Sequence, residues 1–278
     1  MRRRSGDAPR NSRLEQTLVA DVRRVELRIV GDAEELAAAA AAEFLAQGAT
    51  AIARQGRFSV ALSGGSTPTR LYTLLASKRQ RRGGRYVSWG KVHVFWGDER
   101  VVPPNHPESN FRGAREALLG RVPIPQANVH RIRTEARTPS AAAALYEQEL
   151  RSFFALPVGQ FPRFDLVLLG LGTDGHTASL FPGSEAVRER TRLVVAPMVT
   201  KLGMHRITLT LPVINNARAV MFLVSGGQKA ETLARALEGG EGGAELPAQL
   251  VRPRDGTVLW LVDRAAARLF HRRVPRPE

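Results

Sequence analysis

The stretch FDLVLLGLGTDGHTASLFPGS, residues 164–184, decides how this chain folds. Phe164, Leu166, Val167, Leu168, Leu169 and Leu171 form an apolar run as long as one strand buried on both faces, the mark of a central parallel strand. A polar loop follows at once. In it Gly170, Gly172 and Gly175 permit tight turns and close approach of a ligand to the backbone. Between them Thr173, Asp174, His176, Thr177 and Ser179 supply donors, acceptors and one proton carrier. Open α/β sheets bind ligands beyond the carboxyl ends of their strands, where this order places His176.

Outward from that stretch, the same alternation recurs. Toward the N-terminus, residues 25–30 alternate as a strand, and Asp32 is placed to cap a helix from Glu34 to about Ala53. Residues 58–62 read as a strand, followed by a helix from about Pro68 to Ala76, and residues 92–96 as another strand ending in the loop GDER. Residues 101–109 hold Pro103, Pro104 and Pro107 and read as irregular. Helical patterns cover 111–119 and 140–154, with a short strand at 129–132. Toward the C-terminus, 193–196 and 205–211 read as strands, the second on a sheet edge and stopped by Pro212. A strand at 219–224 leads into a helix ending near Leu237, then a mobile EGGEGG loop, a strand at 258–262 and a closing helix at 264–270. This order predicts the α/β class, as one Rossmann-like domain over residues 25–270 with a mainly parallel central sheet flanked by helices. Residues 1–24 are expected to form a disordered basic tail and 271–278 a short basic C-terminal one.

The chain has 278 residues, a net charge of +15 and no cysteine, which excludes disulfides and thiolate chemistry and is compatible with a cytoplasmic setting. Nearly all the cations are arginine, and no basic helix, zinc finger or aromatic stacking motif accompanies them, so nucleic acid is not the expected partner. A positive field does speed the arrival of a small anion. The alanine-rich stretch 36–46 reads as too short to cross a membrane, and the Arg-rich start lacks the apolar core of a secretory signal. His93, His106, His130, His205 and His271 show no metal-ligand spacing with one another or with His176.

Three strand-end loops could hold an anion. Ser63, Gly64, Gly65, Ser66 and Thr67 lie between a strand and a helix start, where bare amides and the helix dipole favour negative charge. SGGQKA, residues 225–230, repeats the device and sets Lys229 in a first helical turn, where the dipole disfavours a cation unless an anion is near. GDER contributes Asp98 and Arg100, and Arg206 is a further cation on a strand start. A generic turn, a surface lysine and a solvated ion pair are the bland alternatives for these loops, as a hydrogen-bonded structural histidine is for His176. Asp174, His176 and Ser179 also invite a Ser-His-Asp triad, but Ser179 sits on no nucleophile elbow.

Five segments in order, LSGGSTP (62–68), GDERVVPPNHPESN (97–110), GLGTDGHTASLFPGS (170–184), RITLTLPVIN (206–215) and SGGQKA (225–230), resemble the 6-phosphogluconolactonases, within the glucosamine-6-phosphate deaminase and ribose-5-phosphate isomerase-like fold group. The resemblance implies hydrolysis of 6-phospho-D-glucono-1,5-lactone, the second step of the oxidative pentose phosphate pathway, without metal or organic cofactor. It implies His176 as the base, Arg100 and Lys229 as phosphate ligands, and Asp98 as an active-site polar group. Asp174 and Asp98 join His176 as catalytic candidates; Ser63 to Thr67, Arg100, Arg206 and Lys229 are the binding candidates. Deaminase-like relatives follow DGH with a segment ending in Asn-Glu-Pro, where this chain has Ser179, Leu180, Phe181 and Pro182. The alternatives are a deaminase- or isomerase-like enzyme and a non-catalytic phosphosugar-binding protein. Amides near Gly172 to Gly175, or a side-chain cation, are the expected oxyanion donors.

Overall fold

A computed structural model describes residues 25–77, 87–239 and 245–270. Both tails, the basic connector at 78–85 and most of the EGGEGG loop lie outside the described residues.

Six strands form one parallel sheet: β1 (Val25–Val30), β2 (Phe58–Leu62), β3 (Val92–Trp96), β5 (Leu166–Leu169), β9 (Ala219–Val224) and β10 (Thr257–Asp263), in the order β1-β10-β9-β5-β2-β3. Every pairing in it is parallel. β2, β5 and β9 are buried at every position, as runs of Val, Leu, Ala, Met and Phe, with the one polar residue Ser59, between helical layers should be. They are also neighbours, so their three carboxyl-end loops converge.

The GDER loop is a correction. Asp98–Arg100 is a strand, β4, antiparallel to β8 (Met204–Leu209), which also pairs with β6 (Val194–Val195) and β7 (Met198–Val199). β8 is therefore the middle of a second, antiparallel sheet and no edge. Gly97, whose amide bonds to the Leu62 carbonyl at 2.8 Å, turns the chain from one sheet into the other. Three residues carry no lasting period, so the strand was invisible beside β3. The expected strand at 129–132 reduces to one bridge, Val94 to Val129, and the closing helix to a 3₁₀ turn at Ala266–Leu269.

The helices follow their caps. In α1 (Ala33–Gln55) the Asp32 carboxylate accepts from the amides of Glu34 and Glu35, both at 2.9 Å, and Gly56 ends the helix at φ 77°. At 23 residues α1 is long and apolar enough to span a membrane, contrary to the reading of the stretch as too short. It nevertheless buries Leu36, Ala40, Ala41 and Phe44 in the core and packs on β2, β10 and the next helix, α2 (Ser66–Ala76). α3 (Asn110–Ala114) runs into a π-helical turn at Arg115–Leu119, and α4 (Pro139–Phe153) starts from Thr138, whose hydroxyl accepts from the Ala141 amide. Two single-turn helices follow, α5 (Glu185–Arg188) and α6 (Leu211–Ile214), before α7 (Ala230–Glu238).

Candidate active site

The carboxyl ends of β2, β5 and β9 and one face of the β4–β8 ribbon enclose a cleft of about 460 Å³. Ser63, Gly64, Gly65, Ser66, Thr67, Asp98, Arg100, His176, Arg206 and Lys229 all line it; Asp174 stands behind His176. Residues drawn from five separate segments thus meet in one place.

His176 is held by three neighbours. Asp174 Oδ1 lies 2.5 Å from its Nδ1, the ring stacks on Phe181 with centroids 4.3 Å apart, and its Nδ1 side also rests on Gly172. A β-carbon at position 172 would fall 2.1 Å from Nδ1, so only glycine leaves room for the imidazole. A carboxylate can only accept, so the hydrogen sits on Nδ1 and the lone pair on Nε2. Nε2 has no hydrogen-bond partner among the described residues, and the side chain keeps 32% of its exposure. For Asp174, burial acts to raise the pKa, but hydrogen bonding from His176 outweighs it and holds the carboxyl below its ordinary range. Lys201 Nζ, 3.8 Å from Asp174 Oδ2, completes the ion cluster on the outer side.

The cationic wall is built by register. Arg100 on β4 stands directly opposite Arg206 on β8, a like-charge cross-strand pair that repels unless an anion lies between. Both guanidinium Nε atoms are buried without a hydrogen-bond partner. Burial first, and then the charge of Arg100, lowers the pKa of Arg206. Lys229 ends a 3₁₀ turn as the N-cap residue of α7, and its ammonium makes no hydrogen bond or ion pair among the described residues. Burial lowers its pKa, and the charge of Asp174 opposes that shift. α2 begins beside these groups with Gly65 as N-cap at φ 109°, and no side chain caps its amides.

Asp98, Glu99 and Ser179 behave differently from any triad. Ser179, 1% exposed, donates its hydroxyl to Asp98 Oδ2 at 2.6 Å. Glu99 points away from the cleft and accepts from the amides of Arg100, Asn110 and Phe111 and from the Ser109 hydroxyl, fixing the start of α3. Burial raises its carboxyl above the ordinary value against the pull of those amides.

Some of the backbone amides of these loops are already engaged. The amides of Gly172 and Gly175 bond inward, to the His176 and Gly172 carbonyls, and the Gly226 amide bonds to Asp263. None of the three is free for an oxyanion or a phosphate.

Some residues of the site carried no sequence signal. Asn110 donates to the Asp98 carbonyl at 2.9 Å and packs so tightly on Gly64 that a β-carbon there would sit 1.8 Å from its Oδ1. Tyr72 holds Ser63 at both ends, donating to its carbonyl at 2.7 Å and accepting from its amide at 3.1 Å. Asn110 at least lay within a quoted motif; Tyr72 looks like any core residue of an amphipathic helix.

Residues 31–260 match the family model described as glucosamine-6-phosphate isomerases/6-phosphogluconolactonase. The chain is 47% identical over 217 residues to a 6-phosphogluconolactonase of Nostoc sp., covering 78% of this chain and 86% of that one. To the Mycobacterium tuberculosis 6-phosphogluconolactonase it is 42% identical over 246 residues, 87% of this chain and 96% of the relative. The solved structure of the Trypanosoma brucei 6-phosphogluconolactonase superposes with a TM-score of 0.74 at 32% identity, over 88% of this chain and 98% of that one.

Proposed function

Because the chain belongs to the glucosamine-6-phosphate isomerase/6-phosphogluconolactonase family, we propose that it hydrolyses 6-phospho-D-glucono-1,5-lactone to 6-phospho-D-gluconate with water activated by His176. The observation that carries the mechanism is the Asp174–His176 pair, which leaves Nε2 as a bare lone pair on a cleft also lined by three cations.

A lactone carbonyl is already electrophilic, so the protein need only deprotonate water, hold the phosphate and support one oxyanion. His176 Nε2 takes a proton from water as its oxygen attacks C1. When the tetrahedral intermediate collapses, the bond from C1 to the ring oxygen breaks and the imidazolium returns the proton to that oxygen. Asp174 stabilises the imidazolium and does not itself take the proton. Arg100, Arg206 and Lys229, with the open amides of α2, hold the phosphate. The oxyanion donor is a side-chain cation or an amide of the same loop between Gly172 and Gly175, those two amides themselves being engaged.

A deaminase reading finds less support. Among the residues lining the cleft the one carboxylate is Asp98, and the ring of Phe181 covers His176.

His176→Ala is expected to lower kcat on freshly generated lactone by about 10²–10⁴-fold. Affinity for the product, 6-phosphogluconate, stays within a few-fold. Turnover at the parental rate overturns the assignment of the base. Ammonia release from glucosamine 6-phosphate at a rate comparable with lactone hydrolysis overturns the choice of reaction.

A further inference from the structure

A carboxylate is an unexpected guest in a cleft designed for a phosphate. Asp98 lines that cleft at 7% exposure, yet forms no ion pair with Arg100, Arg206 or Lys229 among the described residues. Its hydrogen bonds come from neutral groups, Ser179 Oγ at 2.6 Å on Oδ2 and Asn110 Nδ2 at 3.3 Å on Oδ1. An ionised carboxylate has about four acceptor sites, so capacity remains for donors from a ligand.

The β4–β8 register says where those donors lie. Arg100 pairs with Arg206, Glu99 with Ile207 and Asp98 with Thr208. Side chains alternate across a strand, so Asp98, Arg100, Arg206 and Thr208 share the cleft face while Glu99 and Ile207 turn away. Two residues along an antiparallel strand span about 6.8 Å. The carboxylate therefore sits one rung from the arginine pair, clear of a phosphate held there.

Ser179 is held for this purpose at some cost. Ala178, immediately before it, has φ 49°, a left-handed conformation that a β-carbon disfavours. The Ser179 amide bonds to the Thr208 hydroxyl, the residue across from Asp98, which sets the serine beneath the carboxylate.

Resting on the lactonase reading above, we infer that Asp98 reads the hydroxyl on the carbon adjacent to the lactone carbonyl, and that Ser179 is its positioning residue. The O–H of that hydroxyl donates to the carboxylate while the phosphate occupies the arginine pair one rung away. Asp98 then confers specificity and takes no part in proton transfer to or from water.

The test compares two fresh substrates, 6-phosphogluconolactone and its 2-deoxy counterpart, each corrected for spontaneous hydrolysis. A hydrogen bond to a charged group sets the expected preference of the parent protein for the hydroxylated lactone at about 10–100-fold in kcat/KM. Asp98→Asn should bring the two substrates toward parity, by slowing the hydroxylated lactone and barely changing the deoxy one. Ser179→Ala should give an intermediate ratio, which loss of packing alone would not alter. Equal turnover of both lactones by the parent overturns the inference without needing any variant to fold. So does an Asp98→Asn variant, shown by its thermal midpoint to be folded, that loses both activities equally. A parent that hydrolyses neither lactone instead defeats the lactonase reading itself.

Discussion

At His176 the decisive fact is which nitrogen carries the hydrogen. Asp174 Oδ1, at 2.5 Å, can only accept, so the lone pair is turned out at Nε2. Asp174→Asn replaces that acceptor with an amide able to donate to Nδ1, which favours the opposite tautomer with a hydrogen on Nε2. The expected result is a fall in kcat of about 10²–10⁴-fold with KM nearly unchanged, since the proposed phosphate ligands are untouched. Steady-state kinetics on the lactone check it; an unaltered kcat would show that the pair does not set the base. This contact was partly legible in the chain, because both residues stand two apart in one glycine-rich loop. The partner of Ser179 was not legible, because Asp98 lies 81 residues away.

Among the elements, β3 and α4 are joined by a titratable chain outside the cleft. Glu149 on α4 accepts from His130 Nδ1 at 2.7 Å, which leaves His130 Nε2 to accept from His93 Nδ1 on β3 at 3.2 Å. Burial first, then the charges of His130 and Arg57, pushes His93 down to about 4 from an ordinary value of 6.5. The folded value lies below the unfolded one, so below pH 6.5 the unfolded chain takes up a proton that the folded chain refuses until about pH 4. Stability from this group is complete above pH 6.5 and declines across that window as pH falls. With His93 partly exposed, the contribution is discounted to roughly 1 kcal/mol, or about 2–4 °C in thermal midpoint. His93→Gln, which keeps a donor toward His130 without titrating, should remove that part of the fall in midpoint between pH 7 and pH 4.5. An identical pH profile in the variant would contradict the assignment.

Over the whole molecule, charge and topology act together. Arg100, Arg206 and Lys229 line the cleft of a chain whose net charge is +15, so a doubly charged phosphosugar is expected to arrive down a favourable field. Raising ionic strength from about 20 to 200 mM shortens the Debye length from roughly 20 to 7 Å and should lower kcat/KM several-fold with little change in kcat. Gluconolactone without the phosphate should show no such dependence; if it does, the field is not what steers the substrate.

The alternation of strand and helix, the Asp32 cap, the burial of β2, β5 and β9 and the three glycine loops all follow from patterns among near neighbours, which amino-acid order carries directly. The order β9-β5-β2, the GDER segment's change from loop to strand, the opposition of Arg100 to Arg206 and the turn of Ser179 beneath Asp98 are contacts between distant segments. They were decided only when the sheets packed, because pairing and register depend on which buried faces meet in space, and no short-range period encodes that choice.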